Sequence, residues 1–380
     1  GGIDSSVIAS MISNCSDTPL RTFSVAFEDN EFDESLFQKE VVDFLGTEHS
    51  EVRCTAKDIG AVFPDVVWHA ESPLIRTAPA PLFILSELVQ KNDFKVVLTG
   101  EGADEMLGGY DLFKEAKIRR FWAAMPGSNL RPLLLKKLYP YMDNIQSQPD
   151  AYRKAFFHIR PDDLSSPFFS HLPRWELTSG LKRFYSKQTK AGLKNFNVYA
   201  EQAERLPSGY ENWNHFEQAQ YLESTMLLPG YILSSQGDRM AMGHSVEGRF
   251  PFLDHRVVEF ACRIPSNLKM KVLNEKFALK RAMADMIPPS IAQRTKQPYR
   301  APDAVSLLGG KDSSSRPEYA NELLSKKSIE ESGIFESSAV DKLIRKFESG
   351  RAIGVRDNMA LVGILSTQLI MQQFIHNFRS

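Results

Sequence analysis

The sequence predicts an α/β fold: a parallel sheet with helices on both faces, followed by a large helical lobe. Two observations carry this. Over residues 1–110, short β-rich runs alternate with apolar runs of helical spacing, as in strand–helix–strand units. From residue 111 onward the strand signal fades, and helical and loop patterns dominate.

The first helix is read from Val7-Ile8-Ala9-Ser10-Met11-Ile12, whose apolar residues recur at helical spacing. Thr22-Phe23-Ser24-Val25-Ala26-Phe27 follows as a strand, then an acidic loop over 28–33. A helix over 34–45 is closed by Gly46, and a second strand runs over 49–52. Helices are expected near 56–68 and 79–90. Lys95-Val96-Val97-Leu98-Thr99 reads as a buried strand ending at Gly100. The chain divides into an α/β part over 1–124, a helical insertion over 125–215 and a further helical part over 216–380. That last part holds helices over 216–264 and 275–287, a flexible loop over 309–315 and an apolar core helix over 359–378.

Composition bounds the function. The 380 residues, 42% hydrophobic and 24% charged, suffice for one large or two moderate cores. A net charge of −1 gives no electrostatic argument for nucleic acid or a membrane surface, and no apolar run reaches spanning length. Cys15, Cys54 and Cys262 match no zinc or redox spacing and read as buried thiols of a reducing cytoplasm.

Chemistry is expected at two glycine-rich stretches. Gly1-Gly2-Ile3-Asp4-Ser5-Ser6 falls on the first helix N-terminus, where unpaired N–H groups and the helix dipole favour an anion. Asp4 would repel a phosphate unless a divalent cation lies between them, so the residues suggest Mg²⁺ with pyrophosphate or ATP. A plain Gly-rich turn with an Asp/Ser cap is the alternative. Gly100-Glu101-Gly102-Ala103-Asp104-Glu105 puts three carboxylates at a strand's carboxyl end, where ligands of parallel sheets bind. Asp104 is a second candidate carboxylate for the cation held by Asp4. Asp238-Arg239 and Glu247-x-Arg249 read as a buried ion-pair network, His49 and His244 as packed or surface histidines, and Phe168, Phe169 and Trp175 as core.

These two stretches, Met106-Leu107-Gly108-Gly109-Tyr110 after the second, and Asp238-Arg239-Met240-Ala241-Met242 through Glu247-Gly248-Arg249-Phe250-Pro251-Phe252-Leu253-Asp254 resemble the synthetase domain of glutamine-dependent asparagine synthetases. Order and spacing match over nearly the whole chain. The resemblance implies a PP-loop (HUP-like) ATP pyrophosphatase: a carboxylate is adenylated with release of pyrophosphate, and ammonia then displaces AMP to give an amide. It implies ATP and Mg²⁺ as cofactors, aspartate or another small carboxylate as acceptor, and ammonia from a glutaminase domain upstream. A homodimer is compatible with it. It implies catalytic roles for Glu101 and Lys296 and pyrophosphate or ATP contacts from Gly1, Gly2, Asp4, Ser5, Ser6, Val25 and Gly100. It also implies metal contacts from Asp4 and Asp104 and acceptor binding by Arg76. The family motif begins Ser-Gly-Gly-x-Asp-Ser, so a strand leading into the loop and the glutaminase domain, with its N-terminal Cys nucleophile, are expected to be missing. Two further readings stay open: a relative acting on another carboxylate, since the segment Gln297-Pro298-Tyr299-Arg300-Ala301-Pro302 after Lys296 departs from the family pattern and leaves the acceptor open, and a silent nucleotide-binding module.

Overall fold

The computed structural model describes residues 2–29, 31–309, 316–351 and 354–377. The chain is mixed α/β and mainly helical. Helix α1 (Ile3–Cys15) leads into strand β1 (Arg21–Phe27), helix α2 (Ser35–Leu45) and strand β2 (Glu48–Cys54). β1 and β2 pair in parallel, Arg21 opposite Glu48 through Phe27 opposite Cys54. Gly46, in left-handed conformation, ends α2 and lets the chain turn into β2. Helix α3 (Ala56–Ala70) starts on a reciprocal cap: Thr55 Oγ1 accepts from the Asp58 N–H, and the Asp58 carboxylate accepts from the Thr55 N–H. Helix α4 (Pro79–Lys91) packs on β1 and β2 and precedes strand β3 (Val96–Leu98). The short helix α5 (Ala103–Leu107) and helix α6 (Asp111–Ala123) follow.

The expected single sheet is instead two parallel pairs. β3 pairs with a three-residue strand, β4 (Glu247–Arg249), drawn from a segment read as helical. Between the pairs lies a mostly apolar groove of about 430 Å³. Its walls include Thr22 and Phe23 of β1, Val97 and Leu98 of β3, Ala9 of α1 and Leu85 of α4. Each pair therefore offers one unpartnered strand edge to the groove, among the described residues.

The main core joins the two ends of the chain. Val25, Phe63 and Val67 pack with Leu361, Val362 and Leu365 of the C-terminal helix, Val355–Ile370. That helix, counted through His376, is long and apolar enough by composition to cross a membrane, contrary to the sequence expectation. Half of its apolar window is buried inside the protein, where it serves as a core element. A second cluster packs Ile3, Val7 and Ile8 of α1 against Ala103 and Leu107 of α5 and against Ile287 and Ile291.

Other expectations need correction. Arg239 pairs with Glu71 and Arg249 with Glu247, all four substantially exposed, so no buried network forms there. Glu247 and Arg249 on the short strand β4, and Glu71 and Arg239 at helix ends, stay hydrated at little cost, whereas burying them would need full pairing. Cys54 is buried, but Cys15 and Cys262 are exposed. Phe168 and Phe169 are core residues, His49 bridges the Thr22 and Ser24 hydroxyls, and His244 meets Ser86. Of the expected loop over 309–315, only Gly309 lies within the described residues, as does all but the last residue of the expected helix over 359–378.

Candidate active site

Gly2 enters α1 with extended backbone, φ −89° and ψ 160°. Asp4, in the first turn, is buried. The loop after β3 lies hard against this turn. A Cβ on Gly100 would stand 2.7 Å from Asp4 Cβ and 3.2 Å from the Ser5 nitrogen, so a side chain there would push the two motifs apart. Beyond Gly100, α5 carries Asp104 to the same point. Gly109 covers it so closely that a Cβ would overlap Asp104 Oδ1 and Lys276 Cε. The two glycine-rich stretches thus converge, and their carboxylates meet.

Two lysines occupy the junction. Lys276 Nζ lies 2.5 Å from Asp4 Oδ1 and 2.5 Å from Asp104 Oδ1. Lys296 Nζ lies 2.5 Å from Asp104 Oδ2 and 3.5 Å from Asp4 Oδ2. Lys276 is 1% exposed and sits on left-handed backbone, φ 50°, a conformation costly for a lysine and retained here where its ammonium is pinned twice. Two carboxylates and two ammoniums cancel in formal charge, which is what permits their burial. Burial alone would raise Asp104, but Lys276 and Lys296 outweigh it and hold the carboxyl below its ordinary range. Burial would lower Lys296, yet Asp104 and Asp4 push it well above the usual lysine value.

Glu105, the next residue, is different. Burial first, and the Asp104 charge second, push it up to about 7. Its Oε1 accepts from the Tyr110 hydroxyl at 2.7 Å, and its Oε2 has no hydrogen-bond partner among the described residues. No ion pair joins Glu101 to either lysine among the described residues. Glu101 lines the groove with Ser5, Ser6, Ser24 and Thr99, and its Oε2 is buried without a partner among the described residues.

The remaining expected site residues fall as follows. The Ser5 and Ser6 hydroxyls donate to the Gly2 carbonyl, at 3.3 and 2.8 Å, so in this arrangement they brace the loop. Val25 is packed in the main core, and its carbonyl accepts from Gln38 Nε2. Arg76 Nη1 lies 3.2 Å from Asp303 Oδ2, while Asp303 Oδ1 accepts from the Thr77 N–H and hydroxyl. The carboxylate Arg76 holds is therefore one of the protein's own. Gly1 lies outside the described residues. Sequence reasoning missed Lys276. A lysine in a charged stretch carries no local signal, and its neighbours Asp4 and Asp104 are distant in sequence.

The donor set suits a hard cation only in part. Asp4 and Asp104 supply two carboxylates, and no cluster of three or more acids, histidines or cysteines exists among the described residues. Two carboxylates completed by phosphate oxygens and water is a usual way to hold Mg²⁺.

The family model described as asparagine synthase matches residues 1–373. The chain belongs to the asparagine synthase family. It is similar to "Asparagine synthetase [glutamine-hydrolyzing] 1" of Bacillus subtilis, 29% identical over 80% of this chain and 45% of that protein. "Amidase chyE" of Penicillium rubens is 28% identical over 80% of this chain and 48% of its own length. A "Putative asparagine synthetase [glutamine-hydrolyzing]" of Mycobacterium tuberculosis is 29% identical over 82% of this chain and 45% of its own. The chain spans about half the length of the curated relatives it matches.

Proposed function

We propose that this chain is the catalytic domain that adenylates a carboxylate, in the first instance the aspartate side chain, and passes the acyl group to ammonia. The observation that carries the reading is the buried Asp4–Lys276–Asp104–Lys296 cluster at the N-terminus of α1. A helix N-terminus with two lysines beside it is suited to a triphosphate. Phosphate oxygens compete with the carboxylates for the two ammoniums, and the freed carboxylates are then available to Mg²⁺. When bound, that ion neutralises charge on the phosphates. Lys276 and Lys296 stabilise the charge that grows on departing pyrophosphate. Glu101, which lines the groove and has a buried oxygen without a partner among the described residues, accepts a proton from attacking ammonia. Acceptors other than aspartate are the second reading, since a relative of similar identity is named an amidase and Arg76 is already paired.

The test follows pyrophosphate release with Mg·ATP and aspartate in the full-length protein. Asp104→Asn is expected to abolish release. Glu101→Gln is expected to slow amide formation by roughly 10²–10⁴-fold, with adenylation less affected. Wild-type rates in both variants would sink the assignment, and release that needs a carboxylate other than aspartate would select the second reading.

A further inference from the structure

Behind the phosphate-facing cluster lies a second, separate set of buried charges. Glu275 immediately precedes Lys276 and is 4% exposed. Its Oε1 accepts the backbone N–H of Lys296 at 3.1 Å and lies 3.1 Å from Lys280 Nζ. Its Oε2 lies 2.9 Å from Lys114 Nζ. Lys114 reaches Asp111 Oδ1 at 3.0 Å, and Asp111 Oδ2 accepts the N–H of Tyr139 at 3.1 Å. Lys280 also reaches the Arg294 carbonyl at 3.4 Å. Neither carboxylate touches Asp4 or Asp104 among the described residues.

We propose that Glu275 is a positioning residue that holds Lys296 in register with Lys276, so that both ammoniums reach one phosphate group. The proposal rests on the reading given above. Its reason is geometric. Lys276 and Lys296 are distant along the chain, and Lys296 belongs to an extended stretch, 294–300, without helix or sheet hydrogen bonds to fix it. The Glu275 carboxylate grips that stretch at the backbone of Lys296 while its own backbone continues into Lys276. One side chain therefore sets the offset between the two ammoniums. Burying it is tolerable because Lys114 and Lys280 flank it. A buried charge with two cationic partners and a backbone amide is a stiff support; by analogy, loss of the groups that orient metal ligands commonly costs roughly 10–100-fold in affinity or activity.

A double-mutant cycle in the full-length protein tests this. Mg·ATP affinity is read by titration calorimetry, and pyrophosphate release beside it. Glu275→Gln is expected to weaken ATP binding roughly 10–100-fold. In a Lys296→Ala background the same change is expected to add little, because the ammonium that Glu275 positions is gone while the backbone amide remains. An equal loss in both backgrounds would make Glu275 merely structural and overturn the proposal, as would unchanged affinity in Glu275→Gln. If Glu275→Gln does not fold, Glu275→Asp, which keeps the charge but draws it back from the amide, takes its place in the cycle with the same expectations. Unchanged affinity and release in Lys296→Ala itself would instead refute the functional reading on which the proposal stands.

Discussion

At the Asp104–Glu105 step, two adjacent carboxyls are driven in opposite directions by what they touch. Asp104 meets two ammoniums and is held low, while burial, and after it the Asp104 charge, push Glu105 up to about 7 against the lowering effect of its Tyr110 hydrogen bond. The sign for stability follows from linkage. Between its unfolded value, near 4.5, and about 7, the folded protein binds more protons at Glu105 than the unfolded chain does, so Glu105 makes stability fall as pH rises through that window. Asp104, held low, contributes stability above its unfolded value that is lost as pH falls through its folded value. Glu105→Gln should therefore gain on wild type by about 2–3 kcal/mol more at pH 8 than at pH 5, as urea unfolding at the two pH values would show. A constant difference across pH would mean that Glu105 is not protonated in the fold. None of this was legible from sequence. The pair reads as two equal acids, and only tertiary packing separates them.

At the scale of elements, α1 and the loop from Gly100 to Glu105 were legible, because glycine spacing and apolar periodicity are local signals. β4 was not. Glu247-Gly248-Arg249 has no β-forming residue, and its partner β3 lies far back in the chain. The stretch Glu223–Asp238 shows the same limit: it reads as ordinary helix but forms a wide π-type one containing Pro229, with the Ser235 hydroxyl donating to the Gly230 carbonyl. What joins the legible pieces is contact between α1, α5 and the turn after α5. Gly109→Ala should test that contact, since the new methyl would displace Asp104 or Lys276. The expected result is loss of most pyrophosphate release with a destabilisation of about 1–3 kcal/mol, the usual range for overpacking. Thermal unfolding and the release assay together would show it, and an active Gly109→Ala protein of unchanged Tm would contradict the placement of Lys276.

At the scale of the molecule, the fold class read from the sequence was right in kind and wrong in continuity. Strand–helix alternation predicts a parallel sheet, and parallel pairing is what the strands show. The alternation could not reveal that β1 and β3 would face each other across a groove instead of bonding. An extended apolar segment that paired with both edges, at the usual spacing of about 4.8 Å, would close it. A peptide of six to eight alternating apolar residues, supplied in excess or fused ahead of Gly2, should raise Tm and strengthen Mg·ATP binding. If neither changes, the groove is not a strand site.

The groove also has a bearing on how the protein breathes. Amides on the two bare edges hydrogen-bond to water instead of to a neighbouring strand, so they should exchange with deuterium far faster than those shared between β1 and β2. Ser5 and Ser6 line both the groove and the first turn of α1. Slow exchange at the bare edges would thus accompany a steadier first turn of α1, and the isotope pattern along β1 would report on that turn without any ligand present.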